Sequence, residues 1–146
     1  MKISQIFGAD VELKDKKKRG YVMGVTCIED VISGYICCDE SENEFFADGL
    51  GARFTNGKLR ALTCGKKSKK HRPLLLGRAL YSEDGKFLGH VDDFTVKADR
   101  IIYAHCGNRK YPYSNVVFGD VAVLKNQKPL AEIAAKDMFI TAICND

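Results

Sequence analysis

The sequence contains no run of apolar residues that approaches the roughly 20 needed for a membrane-spanning helix. Residues 1–15 hold only a short apolar patch before acidic residues follow, which does not match a secretion signal. Hydrophobic residues make up 45% of the chain and charged residues 29%, a balance unlike that of disordered proteins. We therefore expect a globular protein in the cytoplasm, with one domain or two small ones.

Motifs for metal or phosphate binding are also missing. No C-x-x-C pair occurs, and the spacing of Cys64 and His71 is too loose to predict zinc. The glycines of 49–58 lack the G-x-x-x-x-G-K-[ST] arrangement that binds phosphates. The sequence predicts no structural metal, no cofactor and reduced cysteines. The six cysteines are Cys27, Cys37, Cys38, Cys64, Cys106 and Cys144.

Positive charge is concentrated in two short segments. Residues 14–19 carry five basic side chains and one acidic one, and residues 66–72 carry five basic ones. Since the net charge is +4, the remainder of the chain is acidic at −5. Three interpretations stay open: contact with RNA phosphates, contact with an anionic membrane surface, and a solvated linker. The candidate anion or nucleic-acid contacts are Lys66, Lys67, Lys69, Lys70, Arg72, Lys16, Lys17, Lys18 and Arg19.

The chain aligns with itself at an offset of 69 residues, the separation of Gly8 and Gly77. No gap is needed, and glycines and apolar residues share their spacing, which indicates a duplicated unit. The basic stretch 66–72 then falls where a linker belongs. The aligned pairs are Gly8 and Gly77, Gly20 and Gly89, Val22 and Val91, Val25 and Phe94, Thr26 and Thr95, Asp30 and Asp99, Ile32 and Ile101, and Cys37 and Cys106.

Two glycines of the second copy have separate predicted roles. Asp84 and Gly85 lie between apolar pairs and predict a tight β-hairpin. Beyond Gly89, the apolar face of the strand switches between Val91 and Phe94. A strand that switches face must bulge or bend, so we expect Gly89 to permit a sharp bend or a close approach by another backbone.

The other segments read as short strands separated by turns, which is typical of an antiparallel barrel or sandwich. The exception is the carboxyl end, where apolar residues recur at helical spacing behind Pro129. We expect a short terminal helix there, and 138–144 either extends it or forms a last strand. The helical positions are Leu130, Ile133, Ala134 and Met138.

The second copy resembles the PRC-barrel family, small β-barrels found in the reaction-centre H subunit and in the ribosome maturation factor. The matching residues are Gly77, the Asp84-Gly85-Lys86 turn, Gly89 with Val91, the acidic pair after it, and Gly119-Asp120. The stretches 3–11 and 20–25 resemble the start of a second such unit. The resemblance implies a mainly β fold of two small antiparallel PRC-type barrels in tandem, with structural or binding roles and no shared catalytic residue.

The predicted division is therefore unit 1 at 1–65, a basic linker at 66–72, and unit 2 with its extension at 73–146. A unit of about 70 residues buries only some 60% of its unfolded surface and is marginal alone. We expect either a substantial interface between the copies or independent units on a flexible linker. Dimerisation is a further way to shield apolar surface, and an exposed barrel edge suits a protein partner.

Candidate catalytic groups favour structural interpretations. His105 and Cys106 are neighbours on a predicted strand, so they point to opposite faces and cannot act as a dyad. Cys37 and Cys106 are expected in equivalent core positions, with Cys38 facing outward. Asp92 and Asp93 are expected to make turn hydrogen bonds or to lie at the surface.

These observations predict a non-catalytic binding or assembly module that acts through protein–protein interaction. The alternative is an RNA-associated or ribosome-associated factor that uses the basic segments. Tyr111, Tyr113 and Phe118 are candidates for base stacking, but we expect them to pack a barrel or its rim. We expect no enzymatic activity.

Overall fold

The computed structural model describes residues 1–15 and 17–125, and in these residues the protein is mainly β. The predicted terminal helix around Leu130–Met138 lies outside the described residues. Two short 3-10 helices occur at Ile3–Gln5 and Tyr113–Asn115. The strands are β1 Asp10–Leu13, β2 Lys18–Ile28, β3 Val31–Asp39, β4 Glu44–Asp48, β5 Arg53–Thr55, β6 Lys58–Ala61, β7 Cys64–Gly65, β8 Arg72–Pro73, β9 Ala79–Ser82, β10 Phe87–His90, β11 Asp93–Lys97, β12 Arg100–Cys106, β13 Arg109–Pro112, β14 Val116–Phe118 and β15 Ala122–Leu124.

The first half of the chain forms a curled sheet. Strands β1 to β4 pair with their successive neighbours in antiparallel fashion. Strand β6 returns to pair in parallel with β1, and β5 pairs with β6. Strand β1 is thus bonded on both sides, to β2 and to β6, and the sheet curls partway into a barrel.

The second half repeats these pairings. Strand β9 pairs with β10, β11 pairs with β12, and β12 pairs with β13, all antiparallel. Strand β15 then pairs in parallel with β9, as β6 does with β1, and β14 pairs with β15. At the offset of 69 residues, β9 corresponds to β1 residue for residue. The two halves therefore share their order of strand pairing.

Two main-chain hydrogen bonds repeat with the same offset. Gly8 donates its N–H to the carbonyl of Val22 at 2.7 Å, and Gly77 donates to Val91 at 2.6 Å. Val22 and Val91 in turn donate to the carbonyls of Ala9 and Arg78. The similarity of the halves therefore extends to the entry of each first strand.

The Asp84-Gly85 hairpin is confirmed. Gly85 has φ +88 and donates to the carbonyl of Ser82 at 2.9 Å, and Ser82 donates to Lys86 at 2.8 Å. A positive φ favours glycine because other residues meet steric strain from their Cβ. The turn thus follows from the local sequence.

The bend near Gly89 is also confirmed. Strand β10 ends at His90 and β11 begins at Asp93; the buried Val91 lies in the break, and the buried Phe94 follows it on β11. Gly89 has φ +128, and a Cβ there would lie 2.7 Å from the Sγ of Cys106. The group that comes close to Gly89 is therefore the side chain of Cys106, whereas we expected either a sharp bend or the approach of another backbone.

The two halves meet at a main-chain seam between β3 and β12, where Val31 pairs with Arg100. Each half also donates its leading segment to the other half. Lys2 bridges to Thr95 on β11, while Pro73 of β8 pairs with the equivalent Thr26 on β2. These contacts favour packed halves over independent units on a flexible linker.

One hydrophobic cluster runs through both halves. Ile3 and Ile6 from the leading segment lie in it, fully buried. At roughly 25 cal/mol per Å² of apolar surface, such shared burial is the main stabilising term for two small sheets. The largest fully buried side chains include Phe94, Ile3, Ile6, Leu13, Leu59 and Leu80.

Candidate functional site

The first basic segment forms the turn between β1 and β2 and the start of β2. Lys18 lies 4.0 Å from the carboxylate of Asp39, with its ammonium 5.2 Å from the centre of the Phe45 ring. Arg19 lies 3.5 Å from Glu12. Lys17 is exposed, and Lys16 is outside the described residues. Two of the predicted contacts are therefore already engaged with neighbouring side chains.

The second basic segment is a loop held at both ends against Phe46. Gly65 pairs with Phe46 across β7 and β4. After the loop, the His71 ring lies 4.7 Å from the Phe46 ring, and its Nδ1 is 2.8 Å from the Oγ of Ser33. Phe46 itself is buried over Gly34, where a Cβ would overlap its ring. The loop is thus fixed to the outer face of β3 and β4.

The four lysines of this loop are exposed, and no ion pair involves them in the part of the chain that the structure describes. Arg72 differs, because its Nη2 donates to the carbonyl of Phe118 at 3.4 Å. This hydrogen bond links β8, where Arg72 lies, to the last residue of β14. The exposed members are Lys66, Lys67, Lys69 and Lys70.

The two basic segments approach one another. Lys14 donates its main-chain N–H to the carbonyl of Ala61 at 3.0 Å. The carboxylate of Asp15 accepts the N–H of Cys64 at 3.3 Å, two residues before Lys66. The fold therefore brings together basic residues that are about 50 positions apart in the sequence, as the numbering of Lys14 and Lys66 shows.

A groove of about 420 Å³ lies where the two halves meet. Its floor is aromatic: the Tyr113 and Phe118 rings stack with centres 5.6 Å apart and planes 24° apart, and Phe94 packs beneath Phe118. At its rim, Val117 is 51% exposed. Glu29 and Asp30 of the first half line the opposite side. The predicted packing role of Tyr113 and Phe118 is confirmed.

The polar groups of this groove are engaged within the protein. The Tyr113 hydroxyl donates to the carbonyl of Glu29 at 3.3 Å, and the Sγ of Cys27 lies 3.9 Å from the Tyr113 hydroxyl oxygen. Burial raises the pKa of both Tyr113 and Cys27. Both groups are therefore protonated at neutral pH, and neither has the lowered pKa of an activated nucleophile.

A larger cavity of about 590 Å³ lies between β1, β2, the turn after β3 and the start of β6. It carries charges of both signs, among them Asp10, Asp39, Arg19 and Lys58. Asp39 accepts the N–H groups of Ser41 and Asn43 and so closes the turn that forms one wall. Sequence reasoning missed this cavity, because its charges come from four separate segments.

The remaining candidate groups have structural contacts. His105 contacts the Oγ1 of Thr95 through its Nε2 at 2.5 Å, while the Sγ of Cys106 donates to the carbonyl of Leu88 at 3.3 Å. These contacts lie on opposite sides of β12, as predicted. Cys37 and Cys106 are both buried, which confirms their expected core positions.

Two expectations need correction. Cys38 lies on the outer face of β3, as expected, but it is buried there, where it pairs with Tyr21 on one side and Glu44 on the other. Asp93 is neither a turn nor a surface residue. Its carboxylate is buried and accepts hydrogen bonds from Ser4 through both N–H and Oγ, at 3.1 and 2.5 Å.

In the described residues, no three His, Cys, Asp or Glu side chains converge as metal ligands would, and no helix is long and apolar enough to cross a membrane. No protein-family model matches this chain. No curated protein matches it either.

Proposed function

We propose that this chain is a non-catalytic binding or assembly module that binds another protein in the cytoplasm. In this proposal, 1–65 and 73–146 are two tandem PRC-barrel-like units joined by 66–72. The groove between the halves receives the partner. The observation that carries the proposal is the stacked Tyr113–Phe118 floor beside the exposed Val117.

The repeated strand pairing supports tandem units. Both halves contain an antiparallel hairpin whose first strand is joined in parallel by a strand from late in the same half, β6 in the first half and β15 in the second. The bulges at Thr26 and Thr95 also fall at the same place in each half. Duplication explains these coincidences with one ancestral unit, whereas independent origins would require each feature twice.

The chemistry of the groove supports binding over catalysis. Aromatic side chains on a rigid floor supply large contact area at small entropic cost, and they dominate many protein interfaces. The neighbouring polar groups already have partners within the protein. Arg72 donates to the carbonyl of Phe118, and Asp30 forms an ion pair with Arg100 at 3.0 Å. A partner therefore meets an apolar surface with a charged rim, the usual anatomy of an interface.

Nucleic-acid binding is less well supported by the geometry. Sequence-tolerant binding of RNA combines a basic track with aromatic faces on which bases stack. The aromatic ring nearest the basic loop, Phe46, is buried beneath His71. Tyr113 and Phe118 stack on each other in the groove that Arg72 also lines. The RNA alternative remains a prediction of the sequence.

Affinity capture from the native cell tests the proposal. The parent protein, Val117→Glu and a matched control, Ile102→Glu, are used as bait, and both proteins and nucleic acid in the eluate are quantified. Ile102 is 36% exposed on the outer face of β12, outside the groove. We expect a protein that the parent and the control retain and that Val117→Glu loses, because a buried charge weakens an apolar contact.

Two results contradict the proposal. Equal retention of every captured protein by Val117→Glu places the partner elsewhere. Recovery of RNA that disappears when Lys66, Lys67, Lys69 and Lys70 become glutamine favours the nucleic-acid alternative. Thermal unfolding of each bait, followed by circular dichroism, separates a lost contact from a lost fold.

A further inference from the structure

An exposed leucine stands at the tip of the turn between β4 and β5. Leu50 is 82% exposed, the largest value among the large apolar side chains in the described part of the chain. Single exposed leucines are common on protein surfaces and need no explanation. This one differs because the turn that carries it is firmly held and because a second leucine lies beside it.

The turn is fixed by main-chain and carboxylate hydrogen bonds. Ala52 donates to the carbonyl of Gly49 at 3.1 Å, and Gly49 donates to Ser33 on β3 at 2.9 Å. The N–H of Leu50 donates to the carboxylate of Asp48 at 2.9 Å. Gly51 supplies the φ of +75 that such a turn needs at its third position. Leu50 is therefore presented by an ordered support.

Leu62 extends this apolar surface. It is 46% exposed, and its Cδ1 lies 2.5 Å from the point where a Cβ on Gly51 would be. The glycine thus lets the Leu62 side chain lie directly against the turn. Leu50 and Leu62 define what we call the leucine tip.

Basic side chains surround the leucine tip. The main chain of Leu62 accepts the N–H of Asp15 at 3.1 Å, so the turn that carries Lys14 and Lys17 lies beside it. Arg53 and Arg60 face each other directly across β5 and β6, and β5 begins directly after the turn that carries Leu50. Like charges in direct cross-strand register are destabilising unless an anion or a carboxylate offsets them. Glu12, the partner of Arg60 on β1, offsets part of this repulsion, and the remaining positive charge favours an anionic partner.

The nearby carboxylates do not neutralise this surface fully. Two carboxylates lie at these turns, fewer than the basic side chains around them: Asp15 accepts the N–H of Cys64, and Asp48 accepts the N–H of Leu50. Glu12 is shared between Lys58 at 3.2 Å, Arg19 at 3.5 Å and its cross-strand partner Arg60. In the described residues, no ion pair involves Lys14, Lys17, Arg53, Lys66 or Lys67.

We propose that the leucine tip and its basic surroundings bind the surface of an anionic lipid bilayer. The leucines enter the headgroup region, and the lysines and arginines contact the lipid phosphates and carboxylates. Apolar insertion combined with basic charge is the two-part requirement for stable peripheral binding. RNA offers no phase for the leucines to enter, so the same surface suits a bilayer better. This proposal is independent of the groove at Val117.

Sedimentation with vesicles tests the proposal. The purified chain is mixed with vesicles of phosphatidylcholine alone or of equal parts phosphatidylcholine and phosphatidylserine. We expect binding to the anionic vesicles only. Leu50→Ser/Leu62→Ser should lower the partition coefficient about tenfold or more. Lys14→Gln/Lys17→Gln should also lower it about tenfold. Matched controls in the second half, Val117→Ser and Lys86→Gln/Lys97→Gln, should change it less than about twofold.

The outcomes separate the possible ligands. Absence of a preference for anionic vesicles overturns the proposal, as does unchanged binding by the leucine variant. Filter binding to a single-stranded RNA is measured in parallel. RNA binding that depends on the lysines and is indifferent to Leu50 and Leu62 assigns the surface to nucleic acid. Circular dichroism melting curves identify any variant that has lost its fold, and Leu50→Ser alone is the substitute if the double variant has.

Discussion

The N–H of Ile32 donates to the carbonyl of Asp99 at 2.8 Å, and the N–H of the equivalent Ile101 donates to the carbonyl of Asp30 at 2.7 Å. Between these bonds, Val31 pairs with its own counterpart, Arg100. The contact is thus self-complementary, as in a two-fold symmetric dimer, but within one chain. Each half therefore donates one main-chain hydrogen bond to the other half across this contact.

This seam predicts that the halves stay together after the connecting loop is cut. Limited digestion with trypsin should cleave the exposed loop at 66–70 first, and the two fragments should elute together in gel filtration. The fragments should stay associated because the shared hydrophobic cluster and the exchanged leading segments place residues of one fragment against the other. The melting temperature should fall, because the covalent link no longer supplies its high effective concentration.

Mass spectrometry of the two fragments locates the cut. A variant with Lys66, Lys67, Lys69 and Lys70 replaced by glutamine serves as the control, and it should resist this cleavage and elute as the parent does. Fragments that elute separately in native buffer would show that the seam is too weak to hold the halves.

Local patterns predicted the elements well. The Asp84-Gly85 hairpin and the break after Gly89 follow from spacing within a dozen residues or so of one strand, whereas the burial of Cys37 and Cys106 was predicted from their alignment at the offset of 69 residues. Turn chemistry and alternation of apolar residues are properties of the nearby chain. They fix what a segment is, and they also fix which face it buries.

Contacts between distant segments were not predictable in this way. The burial of Asp93 depends on Ser4, and that of Cys38 depends on Tyr21 and on β4. The leucine tip joins residues from two turns, and its basic surroundings include a third. Each case requires knowledge of which strand lies beside which, and single-sequence alternation carries no such information. The exchange of leading segments between halves was missed for the same reason.

Gly20 and Gly24 on β2 make a matched pair for testing close packing. A Cβ on Gly20 would lie 2.0 Å from the carbonyl oxygen of Cys38, whereas one on Gly24 would first meet the Cδ1 of Ile36 at 3.5 Å. Gly20→Ala should therefore lower the free energy of unfolding by about 2 kcal/mol or more. Gly24→Ala should leave it within about 1 kcal/mol of the parent.

Urea unfolding gives both free energies of unfolding. Far-ultraviolet circular dichroism is the probe, because the chain contains no tryptophan whose fluorescence could be followed. Equal effects of the two substitutions would mean that β2 and β3 adjust freely, against the close approach of Gly20 to Cys38.

Cys37 predicts how stability depends on alkaline pH. Burial raises the pKa of Cys37 from 9.0 to about 12 and the pKa of Tyr35 from 10.0 to about 12. Both groups hold their protons in the folded state at a pH where the unfolded chain releases them. Their contribution is complete below about pH 9 and is lost as pH rises toward 12, at up to about 1.4 kcal/mol per pH unit for each group.

Cys37→Ala should therefore lower stability at pH 7 through the cavity it leaves, and should also make the decline above pH 9 shallower. Val22→Ala is the control, since Val22 pairs directly with Cys37 on β2 and is buried but has no proton to release. It should lower stability and keep the parent's slope. Urea unfolding at pH 7, 9 and 10 measures both quantities. A Cys37→Ala slope as steep as that of Val22→Ala would assign the alkaline loss to other groups, because the thiol at position 37 is then not the one that titrates.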